Sequence, residues 1–305
     1  MRIVHLSDIH AFCPPAGIGP LLDKRLLGTF NHLLRRRRHH DWSRVERAVG
    51  RIRLLSPDLV LVTGDLSTVS APSEFQMALD ALQPLIDDRS FELLFVPGNH
   101  DYYVKRASCR GALEHAFRTM NRGRWELDDL PLIHDVGQLR LILLNQSIPA
   151  PLWSSHGAIS KEAEAWVQAQ FARDDFRGNS RIGLVSHFPL YDRGGLELPR
   201  RRSCRRIDGL QAALTEGKID VAFCGHIHKP FVRWESAGSV ELCAGSLTIS
   251  GLFNRIEYDL RANRLAHEWI DVDLDTPAAV GATAEATMKA MKESGSVVSM
   301  DRHSD

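Results

Sequence analysis

Five short segments of this chain place metal-binding side chains directly behind apolar runs. Asp8-Ile9-His10 closes the run that begins Arg2-Ile3-Val4-His5-Leu6, and Gly64-Asp65 follows Leu59-Val60-Leu61-Val62-Thr63. Gly98-Asn99-His100-Asp101 follows Leu93-Leu94-Phe95-Val96-Pro97, His187 follows Ile182–Ser186, and Gly225-His226-Ile227-His228 follows Val221–Cys224. Taken singly, each segment reads as an ordinary turn with a capping Asp or a Gly-Asn pair. Taken together, they are five strand ends carrying Asp, Asn or His, a recurrence that turns alone do not require. Gathering so many ionisable groups without a cation would cost hydration and create repulsion. A pair of divalent ions supplies the compensating charge. These Asp, Asn and His side chains, among them Asp8, His10, Asp65, Asn99, His187, His226 and His228, are therefore read as candidate ligands of a metal site. Carboxylates, imidazoles and an amide oxygen, with no thiolate, suit manganese, iron or zinc better than calcium.

The elements that must position these groups alternate along the chain. Strand candidates are Arg2–Leu6, Leu59–Thr63, Glu92–Val96, Leu139–Leu144, Ile182–Ser186, Val221–Cys224, Ser239–Ala244, Arg255–Tyr258 and Ala266–Val272. Several are continuously apolar, as strands covered on both faces tend to be. Helical patterns fall over Ser43–Leu55, Ser73–Leu85, Ser108–Met120, Ser160–Phe171 and Ile207–Thr215, with Ser43, Ser73 and Ser160 where N-caps belong. This rhythm predicts an α/β layered fold over residues 1–275, and open α/β sheets keep their sites at the carboxyl ends of strands. Residues 276–305 read as a weak helix or an unstructured tail.

The 305 residues carry 38 basic and 38 acidic side chains, so no global field selects a nucleic acid or a membrane. Five scattered cysteines without a Cys-x-x-Cys pair fit a reducing compartment, and Cys224 and Cys243 read as buried core thiols. The chain runs from Met1 straight into a strand, with no apolar run of membrane-spanning length. This predicts a cytoplasmic protein, soluble or peripheral on the inner face of a membrane.

The ordered set Asp-x-His, Gly-Asp, Gly-Asn-His-Asp, a lone His after a strand, and Gly-His-x-His resembles the calcineurin-like metallophosphoesterases over roughly residues 1–230. The resemblance implies a four-layer α/β/β/α sandwich of two mixed sheets. It implies one ion on Asp8, His10, Asp65 and His228, and a second on Asp65, Asn99, His187 and His226, with the Asp65 carboxylate shared. Two such ions lower the pKa of a water and neutralise charge on the phosphoryl oxygens. His100 is expected to meet the leaving or phosphoryl oxygen, and Asp101 to orient it through a ring nitrogen. A non-catalytic scaffold would be expected to have lost ligands, and here none is missing.

Substrate choice is expected from two basic segments that follow ligands, residues 11–40 after His10 and residues 189–206 after His187. In the first, Leu22, Leu26, Leu27, Phe30, Leu33 and Leu34 share one helical stripe bordered by Lys24, Arg25, Arg35, Arg36, Arg37 and Arg38. Such a basic amphipathic helix can lie on an anionic bilayer, or the leucines can pack on the body of the enzyme. Arg201 and Arg205 stand in the second segment as candidate contacts to a phosphate-bearing substrate or a membrane. The insertion loosely resembles that of the UDP-diacylglucosamine pyrophosphatases, which implies a lipid-linked pyrophosphate. A soluble diesterase for cyclic nucleotides or glycerophosphodiesters would use the same metals. The absence of aromatics interleaved with the basic runs argues against a nucleic-acid substrate.

Overall fold

A computed structural model describes residues 1–13, 25, 40–151, 154–274 and 297–299. The leucine stripe and Arg36, Arg37 and Arg38 lie outside the described residues, as does most of the expected tail.

Strands β1 (Arg2–Leu6), β2 (Leu59–Val62) and β3 (Glu92–Phe95) run parallel at one end of a six-stranded sheet. Between them come helices α1 (Ser43–Leu54) and α2 (Pro72–Asp87), and α3 (Ala107–Met120) follows β3. The sheet continues on the other side of β1 with antiparallel β12 (Leu252–Asp259), β13 (Arg264–Asp271) and β14 (Val297–Ser299). Thus three residues of the expected tail form an edge strand. A second six-stranded sheet has a parallel centre of β5 (Leu139–Leu143), β7 (Arg181–Val185), β9 (Val221–Cys224) and β11 (Val240–Cys243). Antiparallel β4 (Leu132–Val136) and β10 (Phe231–Trp234) close its edges. A short parallel pair, β6 (Gly157–Ala158) and β8 (Cys204–Arg205), stands apart.

Side-chain alternation sorts these strands into four layers. Val4 and Leu6 of β1 pack with Val60, Val62 and Phe95 against Val45, Ile52, Phe75 and Phe117 of the first helices. Ile3 of β1 faces the other way and joins Leu59, Leu61, Leu143, Val221 and Phe223 between the two sheets. The outer face of the second sheet packs Ile182 and Leu184 on α4 (Lys161–Phe171) and α5 (Asp208–Thr215), through Val167, Leu210 and Leu214. This is the expected α/β/β/α sandwich, and burial on both faces explains the continuous apolar runs. Cys224 and Cys243 are buried neighbours on β9 and β11, and the described cysteines are free thiols.

Helix starts differ from the expected caps in two cases. Ser160 caps α4 as expected, its hydroxyl accepting Ala163 N at 3.0 Å. Asp41, however, accepts the Ser43 N–H at 3.0 Å, so Ser43 lies inside α1. Pro72 occupies the first position of α2, where its missing N–H is harmless, and Glu74 does the capping. The edge strands β4 and β10 were not expected from the sequence, because half-buried edges carry polar residues and lose the apolar signature.

A candidate two-metal centre

The carboxyl ends of β1, β2, β3, β7 and β9 meet where the two sheets join, and all seven expected donors converge there. Main-chain bonds fasten the first two loops together, Asp8 N to Gly64 O at 3.0 Å and His10 N to Asp65 O at 2.9 Å. Gly98 and Gly225 are required by close approach. A Cβ on Gly98 would strike the Asp65 carboxylate and its backbone nitrogen, and one on Gly225 would strike Ser7 and the Asp8 carboxylate. Asp8, His10, Asp65, His226 and His228 all have positive φ, between 47° and 70°. Left-handed backbone at non-glycine residues is costly and clusters at functional sites.

Asp8, His10, Asp65 and His228 present donor atoms within 4.8 Å of one another. His10 Nε2 and His228 Nε2 are 3.0 Å apart, and His228 Nε2 lies 3.2 Å from Asp8 Oδ1. Beside this group, Asn99 Oδ1 lies 2.8 Å from His226 Nδ1 and 3.2 Å from His187 Nε2, which is 3.4 Å from Asp65 Oδ2. Asp65 thus touches both groups.

The donors are oriented by what their other atoms do. His187 Nδ1–H donates to Thr63 O at 2.7 Å and His226 Nε2–H to Arg202 O at 2.9 Å, so the opposite ring nitrogens face Asn99 Oδ1. Asp8 Oδ2 accepts His226 N at 3.0 Å and Asp65 Oδ1 accepts His100 N at 2.7 Å. Their other oxygens, Asp8 Oδ1 and Asp65 Oδ2, are buried with no hydrogen-bond donor. Ring nitrogens and two unpartnered carboxylate oxygens thus converge on one place. The donor set therefore fits divalent metal, with second-sphere bonds fixing each ring.

Electrostatics point the same way. Burial alone would lower the His187 pKa, but the Asp65 carboxylate overrides it and raises it to about 10. Burial, reinforced by His187, takes His226 down to about 3. Burial opposes ionisation of Asp8 and Asp65, yet the surrounding histidines hold both carboxyls well below their ordinary values. The carboxylates draw positive charge to this point, and a divalent ion supplies it without a proton.

The role expected of Asp101 is corrected. Its Oδ2 accepts Gly98 N at 2.9 Å, and its Oδ1 accepts Ser67 N and the Ser67 hydroxyl at 3.0 Å each. It therefore splints the loops that carry Asn99 and Asp65. The chain direction after Asn99 turns Asp101 beneath the loop, and burial, with Asp65 nearby, raises its pKa to about 6. The His100 ring nitrogen Nδ1 instead donates to Thr68 O at 2.5 Å, and the ring lies 4.8 Å from that of His10.

Sequence reasoning missed the carbonyl acceptors Thr63, Thr68 and Arg202, which leave no side-chain signature. It also missed His40, whose ring meets His10 at 5.5 Å and whose Nδ1 bonds the Thr248 hydroxyl at 2.9 Å. Only the return of the chain after residue 39 places it there.

The basic segment after His187 is fastened beside the donors through its main chain. Arg201 O accepts Ser155 N at 2.9 Å, Gly157 N donates to Ser203 O at 3.1 Å, and Arg202 O receives His226. The side chains of Arg201 and Arg205 are exposed.

An α/β/β/α sandwich with Asp, Asn and His side chains gathered at its joined strand ends defines a class of α/β proteins with a candidate metal site at that place. The Calcineurin-like phosphoesterase family profile matches residues 1–230, and the chain belongs to that family. Among curated proteins, it is similar to a cAMP/cGMP dual specificity phosphodiesterase of Mycobacterium tuberculosis, 26% identical over 57% of this chain and 49% of that protein. It is also similar to a glycerophosphodiester phosphodiesterase of Enterobacter lignolyticus, 25% identical over 56% of each. The chain thus spans only about half the length of these relatives. Among solved structures, a dimetal phosphatase from Danio rerio shares the fold, with a TM-score of 0.60 at 15% identity, covering 89% of this chain and 96% of that one. Among the described residues, no helix is long and apolar enough to cross a membrane.

Proposed function

We propose that this protein is a dinuclear-metal hydrolase of phosphodiester or pyrophosphate bonds. The carrying observation is that Asp8 Oδ1 and Asp65 Oδ2 are buried without a hydrogen-bond partner while the ring nitrogens of His10, His187, His226 and His228 converge beside them. In this reading Asp8, His10, Asp65 and His228 hold one ion, and Asp65, Asn99, His187 and His226 the other. Manganese, iron or zinc suits the donors, and the ions when bound supply an activated water and neutralise phosphoryl charge. Thr63 and Arg202 hold the protons of His187 and His226 away from the cluster. His100, fixed through Nδ1 on Thr68, meets the leaving oxygen, while Asp101 keeps the Asn99 and Asp65 loops in register.

Arg201 and Arg205 are exposed on the segment whose Arg202 carbonyl meets His226, which favours a substrate with anionic groups beyond the scissile one. The basic apolar stripe of residues 22–38 extends this to a lipid-linked nucleotide presented at the inner face of a membrane. A second reading, a soluble cyclic-nucleotide or glycerophosphodiester phosphodiesterase, is favoured by the activities named for the curated relatives.

The manganese-loaded protein should be assayed on bis-p-nitrophenyl phosphate, cyclic AMP and a lipid-linked UDP sugar, with and without anionic vesicles, alongside metal analysis. Two ions per chain and diester or pyrophosphate cleavage are expected. Deletion of residues 20–38 should impair only the lipid substrate. Equal loss on all three substrates, or none, removes the lipid reading, and a protein that retains no transition metal removes the whole proposal.

A further inference from the structure

The Thr68 carbonyl that receives His100 belongs to a turn with an unusual support. Residues 67–71 lead from the Asp65 loop into α2, and Ser70 within them has a positive φ of 55°. The Glu74 side chain is fully buried beneath this turn. Its Oε2 accepts Val69 N at 2.8 Å, Ala71 N at 3.1 Å and Thr68 N at 3.2 Å. An ordinary capping box would use only the Ala71 bond and would leave the carboxylate at the surface. Glu74 instead collects three main-chain donors of one turn. The same Thr68 donates its hydroxyl to His10 O at 3.0 Å, and its N–H is shared with Ala11 O at 3.0 Å. Burying a carboxyl group is expensive, so the turn it holds must need holding.

We infer that Glu74 is a positioning residue for the reaction. By clamping the 68–71 turn it fixes the Thr68 carbonyl, and that carbonyl fixes the His100 ring and sets where Nε2 points. Glu74 bonds to the turn, and its influence on the His100 ring passes through the Thr68 carbonyl. The inference rests on the proposed role of His100 at the leaving oxygen. A ring displaced by a fraction of an ångström loses turnover while leaving substrate binding largely intact.

The test is a double-mutant cycle on the metal-loaded protein, with a diester of a poor alkoxide leaving group and one of p-nitrophenol. E74A should lower kcat on the poor leaving group by roughly ten- to a hundredfold with KM within about twofold. Its effect on the p-nitrophenyl ester should be much smaller, and its bound metal should equal that of the wild type. E74Q, whose amide oxygen can accept the same three N–H groups, should recover most of the loss. In an H100A background, E74A should add almost nothing. Should E74A not fold, E74D carries the test, because its shorter side chain cannot reach all three donors. Additive effects of the Glu74 and His100 variants, or E74Q as impaired as E74A, would overturn the inference. If H100A itself spares the poor leaving group, the role proposed for His100 fails instead, and the two failures are told apart.

Discussion

The two sheets bring different kinds of donor to the same cluster. The first sheet supplies both carboxylates, Asp8 and Asp65, together with His10 and Asn99, on loops zipped to one another through Asp8 N–Gly64 O, His10 N–Asp65 O and Ala11 N–Leu66 O at 2.8–3.0 Å. The second supplies only imidazoles. His187 and His226 are each steered by a hydrogen bond from the far ring nitrogen to a carbonyl of another loop. Negative charge is thus held by rigid backbone, while the uncharged donors are aimed by single bonds. Losing a carboxylate changes the charge of the centre, whereas losing an imidazole removes one arm and leaves the charge in place.

That contrast is open to direct attack, and Asp65 is its hardest test. D65N should remove the one donor that touches both groups, lowering kcat/KM by roughly a thousandfold or more and emptying the protein of metal on dialysis. Two tightly held ions in D65N would refute the shared carboxylate. H226A on the second sheet should cost roughly a hundredfold, and excess manganese should restore part of the activity, because the charged half still attracts the ion. A loss that manganese cannot touch would place His226 outside the metal sphere.

D101N sharpens the contrast between splint and catalyst. Metal affinity should fall roughly tenfold while the dependence of rate on leaving group stays that of the wild type, since Asp101 supports loops and not the His100 ring. A steeper leaving-group dependence in D101N would restore the role first expected from sequence.

The smallest effect concerns stability. Burial, against the pull of its N–H donors, raises the Glu74 pKa from 4.5 to about 8. Between these values the unfolded chain has released a proton that the folded chain keeps, so this residue's contribution to stability declines as pH rises through the window. E74Q does not titrate, and its melting temperature should gain on that of the wild type by about a few degrees between pH 5 and pH 8. Parallel melting curves across that range would mean that Glu74 is ionised in the fold throughout.

The seven side chains that converge at the joined strand ends were visible in the sequence, because each is a polar residue that follows a strand covered on both faces. The layered fold was legible for the same reason. What escaped is of two kinds. The carbonyls of Thr63, Thr68 and Arg202 act through backbone, which every residue possesses, so sequence cannot single them out. Asp101, Glu74 and His40 act through positions that only the folded path defines. Asp101 adjoins His100 in the chain yet lies beneath the loop, and Glu74 reads as a helix-start residue until its three partners are seen. The edge strands β4 and β10 were lost because exposure on one side admits residues such as His134, Asp135 and Arg233.

Five of the donors carry left-handed backbone, and this separates two demands that usually travel together. Glycine or asparagine at Asp8, His10, Asp65, His226 or His228 relieves the main chain while deleting or weakening the ligand, and valine or isoleucine at the same places offends both. A saturation library scored once for folded yield and once for hydrolysis would therefore split at these positions. Some dead variants would accumulate better than the native protein, the mark of a centre kept by its chemistry at the expense of its conformation.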